Sequence, residues 1–482
     1  MSEFDLVVEG GRIATASDTF EADIGIRNGR IVALADTLGG RGAETIDARG
    51  KVVTPGGVDG HVHLDQPMPD NVRMADDFHS GTISAACGGT TTVIPFAFQP
   101  KGGSVLEAVE DYHRRADGKA VIDYAFHLII TDPSERVLRD ELPALLHKGY
   151  TSFKLYMTYE GLQLQDRQIL DLLAFARREG AMTMVHAENA DCIEWLIEKL
   201  EQAGHTAPKY HTSSRPPIVE REATHRAITL SELVDTPILL VHISAAEAIE
   251  QIRWARGKGL KIYAETCPQY LFLSADDLDQ AGFEGSKYIC SPAPRDAFHQ
   301  EAVWNGLSEG LFDIFSSDHS PFGFEDPMGK RLFGEHACFK CIPNGVPGVE
   351  TRLPLLFSEG VKKGRISLNR FVELTATNAA KLYGLYPRKG TISVGADADI
   401  VIWDTEKEVT ISNNILHSGC DYTPYEGMKV IGWPELTICR GQIVWRDGEF
   451  MGEPGAGQFL PCDFPETAKP RGHPVIEIPG VF

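Results

Sequence analysis

Two histidines one residue apart, His61 and His63 in "DGHVHLD", combine a reactive side-chain type with a useful spacing. Residues two apart on a strand face the same side, so both imidazoles can reach one point. Further along, "SFKLY" carries Lys154, "MVHAE" His186, "LVHIS" His242 and "SSDHS" Asp318, each at or near the end of a short apolar run. Imidazole and carboxylate donors suit zinc and its divalent neighbours. One histidine at a strand end is more often structural than a ligand. Four histidines, a lysine and an aspartate in register at five strand ends are hard to explain by packing. His79, His113 and His147 show no such placement, and His319 is expected to point away if Asp318 points in.

Lys154 is the least expected member of this set. An ammonium in an apolar strand is normally paired, neutralised or modified. Two close dications need a bridging anion, which a protonated lysine cannot be. A lysine that sheds its proton and captures carbon dioxide becomes a carbamate, whose two oxygens can bind one ion each. The plain alternative is a lysine paired with an acid such as Asp318. The residues taken alone leave both open.

These side chains need strands to carry them. Eight runs qualify: "VVTPGGVD", "TTTVIPF", "VIDYAFHLII", "SFKLY", "MTMVHAE", "PILLVHIS", "KIYAETC" and "DIFSSDH". Helical patterns separate them. Asp166 is placed to cap a helix with the stripe Ile169, Leu172, Leu173 and Ala176, ended by Gly180. Ser244 and Glu247 have capping-box spacing. Eight such units predict a closed (β/α)8 TIM-like barrel over residues 53–390, with its site at the C-terminal ends of the strands. A doubly wound open sheet is the alternative, but no Gly-rich dinucleotide fingerprint follows the first strand. Residues 1–52 and 391–455 alternate apolar and polar, and Asn28-Gly29 is a two-residue hairpin signal. Both ends are therefore expected to build one small β-sandwich. Residues 456–482, rich in Pro and Gly, read as an extended tail, either disordered or lying on another subunit.

The formal net charge of −22 argues against nucleic-acid or acidic-membrane partners. "MSEFDLVVEGG" does not read as a signal peptide and no apolar run spans a membrane, so a cytoplasmic protein is expected. Nine cysteines do not suggest a disulfide framework, and Cys338 and Cys341 in "CFKC" lack a second pair.

The chain resembles the amidohydrolase superfamily and, more closely, the dihydropyrimidinase and D-hydantoinase family. The resemblance rests on "PGGVDGHVHLD", "MADDFHSGTISAACGGTTTVIPF", "SFKLYMTY", "CSPAPRD", "IPNGVPGVETRLPLLFSEGV", "NAAKLYGLYPRKGTISVGADADIVIWD" and "DYTPYEGMKVIGWP", between about residues 5 and 460. It implies that His61, His63 and Asp318 bind one metal, His186 and His242 another, and an N6-carboxylated Lys154 both. Zinc is the usual ion in that family. A metal-bridging hydroxide would then open a small neutral cyclic amide, a dihydropyrimidine or hydantoin, to the N-carbamoyl amino acid. Asp318 would carry the proton. Tyr159 would steady the oxyanion, and main-chain groups of Ser291 and Asn344 would hold the ring amide. The resemblance further implies a homotetramer.

Leu64, Phe96, Phe98 and Tyr156 are candidates to line the pocket, with core packing as an equal alternative. Related dihydroorotases place a carboxylate-binding arginine where this chain has Asp65, which disfavours an anionic ring substrate. An allantoinase or imide hydrolase, a mononuclear deaminase and a non-catalytic scaffold are the other readings. Two local departures stand out. "HVHLDQPMPDN" is an uncommon form of the loop that gates substrate in the family, and "GQFLPCDFP" lacks the basic residue that often follows such a segment.

Overall fold

Alternating apolar residues at both chain ends meet in one hydrogen-bonded sheet. The computed structural model describes residues 2–476. Strands Phe4–Ala14, Thr19–Arg27, Arg30–Ala35, Gly42–Asp47 and Val52–Pro55 join Ile400–Thr410, Lys429–Cys439, Gln442–Arg446 and Glu449–Phe450 in a mixed sheet. Val52–Pro55 makes the connection: it runs parallel to the first strand and antiparallel to Ile400–Trp403. Leu6, Val8, Ile13, Ile24, Ile400, Ile402 and Ile438 form the buried side of this unit. Asn28 and Gly29 both have positive φ (52° and 73°), as a hairpin turn matched to strand twist requires.

The barrel strands are Gly57–Val62, Thr90–Phe98, His127–Ile129, Ser152–Tyr156, Met182–His186, Ile238–Leu240, Ile262–Thr266 and Ile314–Phe315, hydrogen-bonded in that order and parallel throughout. A parallel bridge between Val62 and His319 brings the last strand back to the first. Strand alternation sorts the side chains. In the fourth strand Phe153 and Leu155 face the outer layer of helices, so Lys154 and Tyr156 face inward. In the fifth, Val185 faces out and Met182, Met184 and His186 face in.

Local expectations changed in four places. The run 52–59 is divided: Val52–Pro55 belongs to the end sheet, and the barrel begins at Gly57. The run 121–130 is broken into Asp123–Tyr124 and His127–Ile129. Helix Asp166–Glu179 is capped by a Gln165–Gln168 box rather than by Asp166, which pairs with Arg226; Gly180 ends it in a left-handed conformation. Ser244 does not cap helix Ala246–Gly257, because the buried Glu220 accepts hydrogen bonds from both its N–H and its hydroxyl.

The tail is neither free nor detached over its described part. Residues 457–471 cross beneath the N-terminal ends of the barrel strands, where Leu460 pairs with Tyr124, Cys462 with Gly149 and Arg471 with Asp235. Buried Leu460, Cys462 and Ala468 and the ring of Phe459, packed on His113, Tyr124, Phe126 and Tyr150, hold it there. Residues 477–482 lie outside the described residues. No helix among the described residues is long and apolar enough to cross a membrane.

Candidate metal centre

The C-terminal ends of five barrel strands bring together the side chains singled out by spacing. His61 Nε2 and His63 Nε2 lie 3.2 and 3.4 Å from the same oxygen of Asp318, and the donor atoms of these three residues all lie within 4.8 Å of one another. His186 Nδ1 and His242 Nε2 face each other at 2.8 Å. Lys154 stands beside both groups, its Nζ 2.6 Å from His61 Nε2. The His61 and His242 rings are 5.5 Å apart, so one pocket holds both sets.

Three of the four histidines are held by their other ring nitrogen. Nδ1 of His61 meets Glu265 at 2.7 Å, Nδ1 of His63 meets Gln66 at 2.7 Å, and Nε2 of His186 meets Glu188 at 2.8 Å. An oxygen acceptor at one nitrogen puts the proton there and leaves a lone pair on the nitrogen facing the pocket, the arrangement that ligating imidazoles use. Burial, then the nearby Lys154, lowers the pKa of His61; burial, then His186, does the same for His242. Both are kept as neutral imidazoles, the ligand form. Glu265 also accepts the main-chain N–H of His242 at 3.0 Å, so one carboxylate fixes two candidate ligands.

His242 and Asp318 both have left-handed backbone, φ 40° and 47°, and so does Tyr159 at 74°. Non-glycine residues take that conformation at a cost, and surroundings that over-determine it are typical of functional sites. Asp59 helps to set it: its carboxylate accepts from the N–H groups of His61 and Ser317 and is paired with Arg352. His319 turns away from the centre, as expected, to bond Asp76 and the N–H of Gly348.

Lys154 is buried and forms no ion pair with a carboxylate among the described residues. Its ammonium lies 4.6 Å from the Phe96 ring and 5.1 Å from the Tyr156 ring. Desolvation pushes its pKa down from the ordinary lysine value, against the pull of Asp318 and Glu265. Asp318 responds oppositely. Burial alone would raise its pKa, but His61, His63 and Lys154 hold it down at about 2.

Tyr159 lies beside this group, its ring 5.3 Å from that of His186, with the guanidinium of Arg215 over it at 5.2 Å. Burial pushes its hydroxyl up to about 12 against the opposing influence of Arg215, so it remains a donor at neutral pH. Ser291 and Asn344 lie on segments joined by the hydrogen bond from Gly345 N–H to the Ile289 carbonyl. The main-chain N–H and C=O groups of Ser291 and Asn344 have no partner among the described residues. Unpaired within the protein, these groups are free to bond to water or to a bound molecule.

Phe96 stacks on His63 and Tyr156 on His186, which puts both at the pocket. Phe98 is partly buried at the junction of the inner and outer layers. Leu64 follows the core-packing alternative: it lies over Gly81 and belongs to the outer-layer core with Phe78, because it is one position out of phase with His61 and His63. Asp65 is paired with Arg115 at 3.1 Å. Cys338 and Cys341 share a single 3-10 turn and gather no third ligand among the described residues. Glu265, Glu188, Gln66 and Arg215 escaped the sequence reading. Glu188 carried a signal, since it stands two residues after His186 in "MVHAE"; the others had no motif spacing.

Comparison with known proteins agrees with this arrangement. The model of the amidohydrolase family matches residues 52–444. A D-hydantoinase of Geobacillus stearothermophilus is 48% identical over 94% of this chain and 96% of its own. A solved D-hydantoinase superposes with a TM-score of 0.92 at 47% identity, covering 95% of this chain and 99% of that one. A dihydropyrimidinase from Brevibacillus agri superposes equally well at 43% identity, with the same two coverages. Strand-end histidines, an inward lysine and near-complete coverage thus lead to one conclusion: the chain belongs to the amidohydrolase family, in its dihydropyrimidinase and hydantoinase branch, and is an enzyme that hydrolyses cyclic amides.

Proposed function

We propose that the enzyme opens 5-substituted hydantoins and 5,6-dihydropyrimidines to N-carbamoyl amino acids, using two divalent ions of the zinc type. His61, His63 and Asp318 would hold one ion, His186 and His242 the other, and a Lys154 carboxylated on Nζ would be a ligand of both. Lys154 carries this reading. It is a buried amine without a carboxylate partner among the described residues, its Nζ 2.6 Å from the lone-pair nitrogen of His61, a candidate ligand. Its lowered pKa favours the free amine, the form that bonds to carbon dioxide and releases a proton.

When bound, the ions supply Lewis acidity, which acidifies a water and polarises the amide carbonyl. The remaining work belongs to side chains. Asp318 remains ionised, takes the proton of the attacking water and passes it to the ring nitrogen as the C–N bond breaks. Tyr159 donates its hydroxyl to the carbonyl oxygen as charge develops there. Main-chain groups of Ser291 and Asn344 hold the second amide of the ring. Asp65, tied to Arg115, presents no cation to a substrate carboxylate, which favours neutral rings.

Relatives called D-hydantoinase at 43–48% identity, against 31% for a solved L-hydantoinase from Arthrobacter aurescens, support a preference for the D enantiomer. The reading includes a cytoplasmic homotetramer. The test is a kinetic comparison of dihydrouracil, 5-alkyl and 5-aryl hydantoins, allantoin and simple imides on a zinc-loaded preparation, with metal analysis and intact-mass measurement. We expect two ions per chain, a 44-Da adduct on Lys154 (one carbon dioxide) and turnover of the hydantoins. A metal-replete protein inert towards dihydrouracil and every hydantoin would overturn the proposal.

A further inference from the structure

Lys330 is buried, carries no carboxylate partner among the described residues, and lies in the long excursion after the eighth barrel strand. Its three N–H donors find three main-chain carbonyls: Pro343 at 2.7 Å, Gly345 at 2.8 Å and Ile289 at 3.2 Å. An ammonium has three donors and no acceptor, so this cage saturates it. The caged carbonyls are not scattered. Pro343 and Gly345 flank Asn344, and Ile289 stands two residues before Ser291.

A trans peptide is planar and points its C=O and N–H to opposite sides. Drawing the Pro343 carbonyl to Lys330 therefore turns the N–H of Asn344 the other way. The next peptide is fixed too, because Gly345 N–H bonds the Ile289 carbonyl at 2.9 Å and so sets the carbonyl of Asn344. On the neighbouring segment, Nε2 of His211 donates to the Cys290 carbonyl at 2.8 Å, which sets the N–H of Ser291 in the same manner. Every partner in this network is taken up by the protein, and the groups left over belong to Ser291 and Asn344.

We propose that Lys330 is a positioning residue for substrate: one ammonium ties the 289–291 and 343–345 segments together and aims the main-chain groups of Asn344 at the ring amide. The inference rests on the proposal that those groups bind substrate. A purely structural lysine would lower stability and leave the affinity of the folded fraction unchanged. A positioning lysine raises KM with a smaller change in kcat, since uniform binding is what it supports.

The test uses the full zinc-loaded chain and a hydantoin that the wild type turns over. Lys330→Met, which keeps an unbranched side chain one bond shorter and removes all donors, is expected to raise KM about tenfold or more, lower kcat less than about threefold, and leave metal content unchanged. Lys330→Gln serves if Lys330→Met is insoluble. It is one bond shorter and brings an acceptor among three acceptors, and it is expected to raise KM at least about threefold. A wild-type KM in either soluble variant, or equal losses in kcat and kcat/KM, overturns the inference. A wild type inert on all hydantoins overturns the proposed function instead, so the two failures are distinct.

Discussion

Lys154 at the barrel mouth and Lys389 at the junction with the end sheet are both buried lysines, and their surroundings are opposite. Lys389 has three carboxylates, Asp123 at 2.6 Å, Asp399 at 2.7 Å and Asp397 at 3.1 Å. Burial works against its charge, but Asp399 and Asp123 outweigh it and raise its pKa above the ordinary value of 10.5. Lys154 has aromatic rings and imidazoles around it and no ion pair among the described residues, and desolvation lowers its pKa from the same starting value. Compensated burial of charge supports structure. Burial without a carboxylate partner brings the neutral amine within reach, and beside candidate ligands that form can react. The junction is complete in the protein alone, whereas the proposed metal centre would be completed by its ions.

The comparison breaks if Lys154 proves structural or Lys389 catalytic. Lys154→Met is expected to lower kcat/KM for a hydantoin by about a thousandfold or more, roughly 4 kcal/mol of transition-state stabilisation, while the protein still folds. Retention of full activity would sink the bridging role and favour a mononuclear centre. Lys389→Met leaves Asp399 without an ion pair, while Asp123 keeps Arg440 and Asp397 keeps Arg388, and is expected to cost about 3–5 kcal/mol of stability in denaturant unfolding. Its folded fraction should keep the wild-type metal content; a selective loss of metal would place this lysine in the site.

The smallest effect sharpens the contrast through pH. In metal-free protein, Lys154 has a folded pKa below its unfolded 10.5, so between those values the unfolded chain holds more protons and stability rises with pH. Lys389 has a folded pKa above 10.5, so its contribution is full below that pH and is lost as pH climbs further. Metal-free Lys154→Met should therefore exceed metal-free wild type by about 1–2 kcal/mol at neutral pH. The gap should close as pH approaches 10.5. Chemical denaturation across that range reads it, and a gap independent of pH would exclude burial of the charged amine as its cause.

Much of the candidate site was legible along the chain, because strand period and strand-end position were enough to place His61, His63, Lys154, His186, His242 and Asp318. For Leu64 the core-packing alternative holds, since one step along the chain from His63 reverses the face. Asp166 and Ser244 carried sound capping chemistry and were diverted by stronger tertiary partners, Arg226 for the first and Glu220 for the second. The tail read as disordered or as an arm on another subunit because its few apolar residues have no period of their own; the barrel floor of the same chain supplies their partners.

The amino-acid order by itself determined the alternation of strands and helices, the sorting of residues to inner and outer faces, and the side-chain types that arrive at the strand ends. These follow from periodicity, which is local. Only the tertiary structure decided that Glu265 anchors His61 and the His242 main chain, that Lys154 meets a nitrogen where Lys389 meets carboxylates, and that Lys330 joins two segments through their carbonyls. Those contacts link residues far apart in the chain, often through main-chain atoms that every residue shares. No spacing rule can announce a partner whose identity is only a carbonyl oxygen.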